Sequence, residues 1–344
     1  MTPVAAGNAH PAPKPRFWNS RLFRLGGSTL ILGLLLTFLP FGQVWSAIRR
    51  IPPWLSLGLL GFWLALNLLG VVKWRMLINV AGAGISFRQA VRCYYGGQFG
   101  NIFLPSLVGG DVVRGALAFK VSRSKAAVVL GSLIDRVQDV IGLGAIAATG
   151  ALLLPRSLDP QSRKIFLVFA GALAIAGLST AGVLLALPVR KFPFKVRRIM
   201  VKLRRAGKST YGRTDRVFLS FGLGVILQVT QVGMNCWLGL ACGLHISFGV
   251  WLFAWPLAKV SALLPVTQGG IGVREVALVA LMAPFGAPPV LTAAAGLVFE
   301  AISTIGGLLS GIVAYFAGRT SPSQTKPLPG LPAFQDKVGT TPVE

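Results

Sequence analysis

The sequence predicts an all-α polytopic membrane protein with about six full spans and two re-entrant helical hairpins arranged as an inverted repeat. Three observations carry this. The composition is 53% hydrophobic and only 12% charged, whereas soluble domains carry roughly 25% charged residues. Apolar runs of the length a bilayer requires, about 20 residues, begin near Leu22, Trp54, Ala126, Ile165, Val217 and Val290. A helix-breaking phrase is written twice, as "LPSLVGGDVVR" from Leu104 to Arg114 and as "LPVTQGGIGVR" from Leu264 to Arg274.

Residues 1–20 form a Pro-containing leader expected to be disordered, and 319–344 a tail of the same kind. The run from Leu22 is read as a retained span, because no small-residue cleavage pattern follows it and five more spans do. After the second span, from Trp54, residues Ser86 to Lys120 are apolar but interrupted by Gly, Pro and Asn. Broken backbone at membrane depth is tolerated only where protein or a wet cavity surrounds it, so this region reads as a hairpin at an interior site. The span from Ala126 closes the first half. Spans from Ile165, Val217 and Val290, with a second broken region from Phe248 to Pro284, make up the other half.

The membrane body is thus 21–318, with halves of about 21–154 and 165–318. Trp54 and Val217 lie 163 positions apart, Pro105 and Pro265 lie 160, Ala126 and Val290 lie 164. An odd number of crossings per half turns the second half upside down, the arrangement of an alternating-access carrier.

The net charge of +25 is read as lipid-facing loop charge, and nucleic acid is not expected as a partner. From Arg190 to Arg216 eleven basic residues stand against one acid, Asp215, which places that loop in the cytoplasm. Both termini follow it there, on the cytoplasmic side of the membrane. Cys93, Cys236 and Cys242 have no paired ligand spacing and read as small core residues. No metal, cofactor or nucleotide site is expected, since neither Gly-rich phrase has the Gly-Lys-Ser/Thr ending of a phosphate loop.

Five of the nine acids, Asp111, Asp135, Asp139, Glu275 and Glu300, fall in or beside the hairpins and the spans that follow them. A charge at the centre of a lipid-embedded helix costs roughly 2.5–3.5 kcal/mol on insertion scales, so each acid needs a partner or a cavity. Arg114, Arg136, Lys259 and Arg274 are the expected basic partners. Asp135 and Asp139 share a helix face, with Arg136 turned about 100° away. Arg114 and Arg274, at matching places in the repeat, suit bidentate phosphate binding. The adjoining Gly109, Gly110, Gly269 and Gly270 offer bare amides to an anion, and Pro105 and Pro265 break the helix before them. Asn101 is a further polar group for freed backbone or substrate, and Tyr94 and Tyr95 read as interfacial aromatics.

"GNIFLPSLVGGDVVRGALAFK", "SLIDRVQDVIGL" and "LLPVTQGGIGVREVAL" resemble the signature segments of the lysylphosphatidylglycerol synthetase transmembrane region family, the flippase-like domain of bacterial membrane proteins. The resemblance covers about residues 20–318. The family often has Glu-Arg where this chain has Asp135-Arg136, and a run such as Gly-Arg-Gly-Asp where it has Val108-Gly109-Gly110-Asp111. The resemblance implies handling or translocation of a phospholipid or polyprenyl-linked lipid across the cytoplasmic membrane of a bacterium, with membrane lipids that bear an anionic or phosphate headgroup as the expected partners. With about 26 residues after Gly318, no aminoacyltransferase domain is expected and the chain reads as a non-enzyme. A membrane-embedded lipid-modifying enzyme, or an accessory subunit that works with a partner enzyme of lipid biosynthesis, are the alternatives.

Overall fold

The structure, a computed structural model, describes residues 41–104, 109–154, 213–262 and 272–319, with Lys164 and Val168. The expected spans from Leu22 and Ile165, most of the basic loop, both tails, and Pro105, Pro265, Gly269 and Gly270 lie outside the described residues.

Among the described residues the chain is all-helical. In order the helices are α1 (Phe41–Arg49), α2 (Pro53–Val80), α3 (Phe87–Phe103), α4 (Gly109–Val121), α5 (Lys125–Leu153), α6 (Thr214–Cys242), α7 (Phe248–Ser261), α8 (Val273–Met282) and α9 (Pro289–Arg319), with a 3-10 turn at Ala283–Phe285. Three of them, α2, α6 and α9, are long and apolar enough to cross a membrane by length and composition. At 29 residues α5 is equally long, but it carries Asp135, Arg136 and Asp139 in its first half.

Local chemistry sets the helix boundaries. Pro53 opens α2, where its missing N–H is no loss. Ser86 and Gln89 form a reciprocal capping box at the start of α3, and Ser124 Oγ accepts from Ala127 N–H at the start of α5. Gly243, at φ 91°, ends α6 in the left-handed region that glycine reaches without a Cβ clash.

The expected broken regions are each a pair of short helices: α3 and α4, of 17 and 13 residues, and α7 and α8, of 14 and 10. Each pair packs on itself and each is clasped by a long helix from the other half of the chain, α3 by α9 and α7 by α5. The remaining packing follows the same exchange. When α2 to α5 are matched in order with α6 to α9, α2–α5 corresponds to α6–α9, α2–α9 to α6–α5, and α2 meets α6. Glycines permit the close crossings: Gly307 and Gly311 of α9 lie against Ile102 and Phe99 of α3, and Gly150 of α5 lies against the backbone of α7.

Contacts between loops sort the helix ends into two groups. Arg123 N–H donates to Ala83 O and Gly318 lies beside Arg92. These join the end of α2, the start of α3, the end of α4 and the end of α9. Arg50 lies beside Gly243, and Leu153 beside Gly249, which joins the start of α2, the end of α6, the end of α5 and the start of α7.

The core has two parts. The larger includes Trp251, Phe253, Trp255, Leu238 and Phe299; the smaller gathers Trp74, Ile78, Cys93 and Tyr95 about the first short-helix pair. Tyr95 is interior, its hydroxyl donating to Leu64 O at 2.7 Å, and Tyr94 faces a central cavity. Both tyrosines therefore depart from the interfacial placement their sequence suggests, because a helix clasped by α9 and α4 has no lipid-facing side at these positions.

Candidate functional site

Between the two short-helix pairs lies a cavity of about 510 Å³, walled also by α2, α5, α6 and α9. Its apolar wall includes Trp63, Ile102, Leu143 and Phe299, and its polar wall gathers charged residues from both halves of the chain.

Asp135 is the hub of the first half. Only 3% exposed, it accepts from Lys73 at 3.0 Å and from Arg114 at 3.2 Å. Arg114 also meets Asp111 at 2.9 Å. Arg136, whose side chain is 45% exposed, pairs with Asp111 and reaches Asp139 at 3.6 Å, while Asp139 pairs with Lys73. Three cations and three carboxylates thus form one closed network over α2, α4 and α5. Removing one member of a buried pair costs roughly 3–5 kcal/mol, because the other charge is left unpaired.

In the second half Arg274 pairs with Glu275 at 2.8 Å and with Glu300. Glu275, 1% exposed, accepts from Gly272 N–H at 2.8 Å and so caps α8 from within. Gly272 has φ 87°, a turn that a Cβ would strain. The two arginines share an aromatic setting. The Arg114 guanidinium carbon lies 4.9 Å from the Trp74 ring and 5.3 Å from that of Tyr94; that of Arg274 lies 5.0 Å from Trp255 and 5.5 Å from Phe299. Rings on the faces and carboxylates at the edges fix a planar cation as they could not fix an ammonium.

Lys259 departs from the expected pairing with an acid. Its ammonium donates to Gln228 Oε1 at 2.8 Å and Gln231 Oε1 at 2.7 Å, both on α6. Among the described residues no carboxylate forms an ion pair with it. An amide oxygen satisfies a donor but brings no net charge, so Lys259 keeps its positive field in the cavity. At 4 Å and an effective dielectric of about 20, that field is worth about 4 kcal/mol to a unit anion.

The Gly-Gly pair of the first half has a packing explanation. Gly110 N–H donates to Asn101 Oδ1 at 2.6 Å, so this amide is committed within the chain. A Cβ at Gly97 would stand 2.8 Å from Gly110 O, which shows how closely α3 and α4 approach. Asn101 continues into a polar ladder, donating to Gln98 Oε1 at 3.4 Å, and Gln98 donates to Asn67 of α2. Asn101 therefore satisfies freed backbone while lining the cavity.

The structure brings together Asn101, Gly110, Asp111, Arg114, Asp135, Arg136, Asp139, Arg274 and Glu300 at the cavity wall. Gly109 packs against Leu104, and Glu275 sits behind Arg274. Sequence reasoning missed Lys73, Gln98, Gln228 and Gln231. The sign that Lys73 left in the sequence, one ammonium inside an apolar run, was too slight to alter the run's hydropathy.

The fold and site define a helical integral membrane protein with an ion-paired interior cavity built from two broken-helix pairs. The chain belongs to the family described as the lysylphosphatidylglycerol synthase TM region, whose model matches residues 21–311. It is also 25% identical over 313 residues, covering 83% of this chain and 89% of the relative, to a UPF0104 membrane protein of Methanothermobacter thermautotrophicus.

Proposed function

We propose that the chain binds the headgroup of a phospholipid or polyprenyl-linked lipid in the central cavity and passes the lipid across the cytoplasmic membrane without altering it chemically. The observation that carries this reading is the cavity itself: charged groups from both short-helix pairs meet inside an apolar helical body, beside an apolar wall suited to lipid chains. Charges in a membrane interior that line a cavity mark a substrate path.

On this reading the short-helix pairs are re-entrant hairpins in an inverted repeat within about six full spans. The exchange-symmetric packing and the sorting of loop contacts into two groups support hairpins that enter from opposite faces. The end that gathers Arg88, Arg92, Lys120, Arg123, Lys125, Arg213 and Arg319 is cytoplasmic by the positive-inside rule, and both termini lie there. The carrier works beside an enzyme that makes its lipid.

Reconstitution tests the function. Proteoliposomes containing headgroup-labelled phosphatidylglycerol on both leaflets should lose nearly all label to an external quencher, protein-free liposomes about half. Equal loss from both would overturn translocation. Recovery of chemically altered lipid would overturn passage without modification.

A further inference from the structure

We infer that Lys259 is the docking group for the phosphodiester of a net-anionic lipid, and that it sets a preference for anionic over zwitterionic headgroups. The inference rests on the proposed lipid site and names the ligand class and the residue that contacts it.

Every carboxylate at the cavity wall is already taken: Asp111 by Arg114 and Arg136, Asp135 by Lys73 and Arg114, Asp139 by Lys73 and Arg136, Glu300 by Arg274. A headgroup cation entering the cavity finds no free acid among the described residues. Arg114, Arg136 and Arg274 each already face two carboxylates; Arg114 Nε is left without a hydrogen-bond partner among the described residues, but a phosphate beside any of the three would gather three anions about one cation.

Lys259 differs from them. Two of its three N–H donors go to neutral amide oxygens, and among the described residues the third has no partner and is open to a ligand. Trp255 stands one helical turn earlier and also lines the cavity. Its buried indole Nε1 lacks a hydrogen-bond partner among the described residues, and an indole N–H can only donate. Trp255 is itself only 1% exposed, so it is the Lys259 ammonium that α7 offers to an oxyanion. Arg114 and Arg274 then position the short-helix pairs, and Lys259 contacts the lipid.

The test uses the full chain in detergent with three probes: phosphatidylglycerol, phosphatidylcholine, and inorganic phosphate. Reductive methylation of Lys259, read by peptide mass spectrometry, requires no variant. Phosphatidylglycerol should slow methylation roughly tenfold, the factor expected for one hydrogen bond to a charged group, and phosphatidylcholine should leave it nearly unchanged. Equal protection by both lipids would overturn the preference. Protection by inorganic phosphate at the same concentration would assign the subsite to a soluble anion and overturn the lipid assignment. Lys259→Met should abolish the binding preference and Lys259→Arg retain most of it; an unchanged preference in Lys259→Met would overturn the role of this ammonium. Protection of Lys259 in a chain that fails to move lipid in vesicles would sink translocation and leave the binding site standing. Translocation with no protection of Lys259 would do the reverse.

Discussion

Arg114 of α4 and Arg274 of α8 lie 160 positions apart in sequence and occupy matching surroundings, each over two aromatic rings and against two carboxylates. Tyr94 of α3 and Trp255 of α7, which supply one ring each, are themselves 161 positions apart. The twice-written phrase thus ends in a guanidinium that locks a short helix to the long helix following it, α4 to α5 through Asp135 and α8 to α9 through Glu300.

Because the lock depends on a planar cation, lysine at either position should replace it poorly. Arg114→Lys and Arg274→Lys should each lower lipid translocation severalfold at equal expression, and the alanine variants should lower it further. Translocation at the wild-type rate in both alanine variants would show that the locks are dispensable.

Asp135 holds Lys73 and Arg114 together, and all three are nearly solvent-free. Asp135→Ala should destabilise the detergent-purified protein by roughly 3–5 kcal/mol, because two buried cations lose their shared anion. Adding Lys73→Met should restore part of that loss by removing one of them. Thermal unfolding of the single and double variants checks this; a double variant less stable than Asp135→Ala would contradict the shared-anion account.

Much of this arrangement was legible in the sequence, for definite physical reasons. Pro105 and the paired glycines interrupt apolar text, and a break in an oily run has few explanations inside lipid. Asp135, Asp139 and Glu300 stand out because acids are scarce there. Lys73 was harder to read: one ammonium does not disturb the hydropathy of a 28-residue helix, and its partners lie on α5, more than sixty residues away. The role of Lys259 depended wholly on tertiary structure. Gln228 and Gln231 look like ordinary interhelical amides until α6 and α7 are packed, and only then does an expected ion pair become a lysine with no acid partner among the described residues. The amide of Gly110 was similarly ambiguous, since Asn101 reaches it only when α3 and α4 fold together.

The grouping of helix ends sets an accessibility pattern. In a cysteine-free background, single cysteines at Arg50 and Pro288, both exposed, should react with an impermeant maleimide added outside intact cells. A cysteine at Lys125, also exposed, should react only after permeabilisation. Labelling of Lys125→Cys from outside together with the other two would remove the basis for opposed hairpins.

The clasp of α5 on the second short-helix pair leaves no room for a side chain at Gly150. A Cβ at Gly150 would stand 2.7 Å from the carbonyl carbon of Leu252 and 2.8 Å from the carbonyl oxygen of Gly249. Both are backbone atoms of α7, so no side-chain rotation can relieve the overlap. Gly58 of α2 is a suitable control, since a Cβ there would meet nothing within 4 Å. Overpacking typically costs about 1–3 kcal/mol, whereas alanine for glycine in an open helix interior favours the helix by up to about 1 kcal/mol. Gly150→Ala should therefore lower the thermal stability of the detergent-purified protein, and Gly58→Ala should leave it unchanged or raise it. Translocation should fall with Gly150→Ala as well, because displacing α7 carries Trp255 and Lys259 away from Gln228, Gln231 and Arg274. If Gly150→Ala matched the wild type in both measurements, α5 and α7 would not approach as closely as their backbones indicate, and the cavity wall formed by α7 would lose its support.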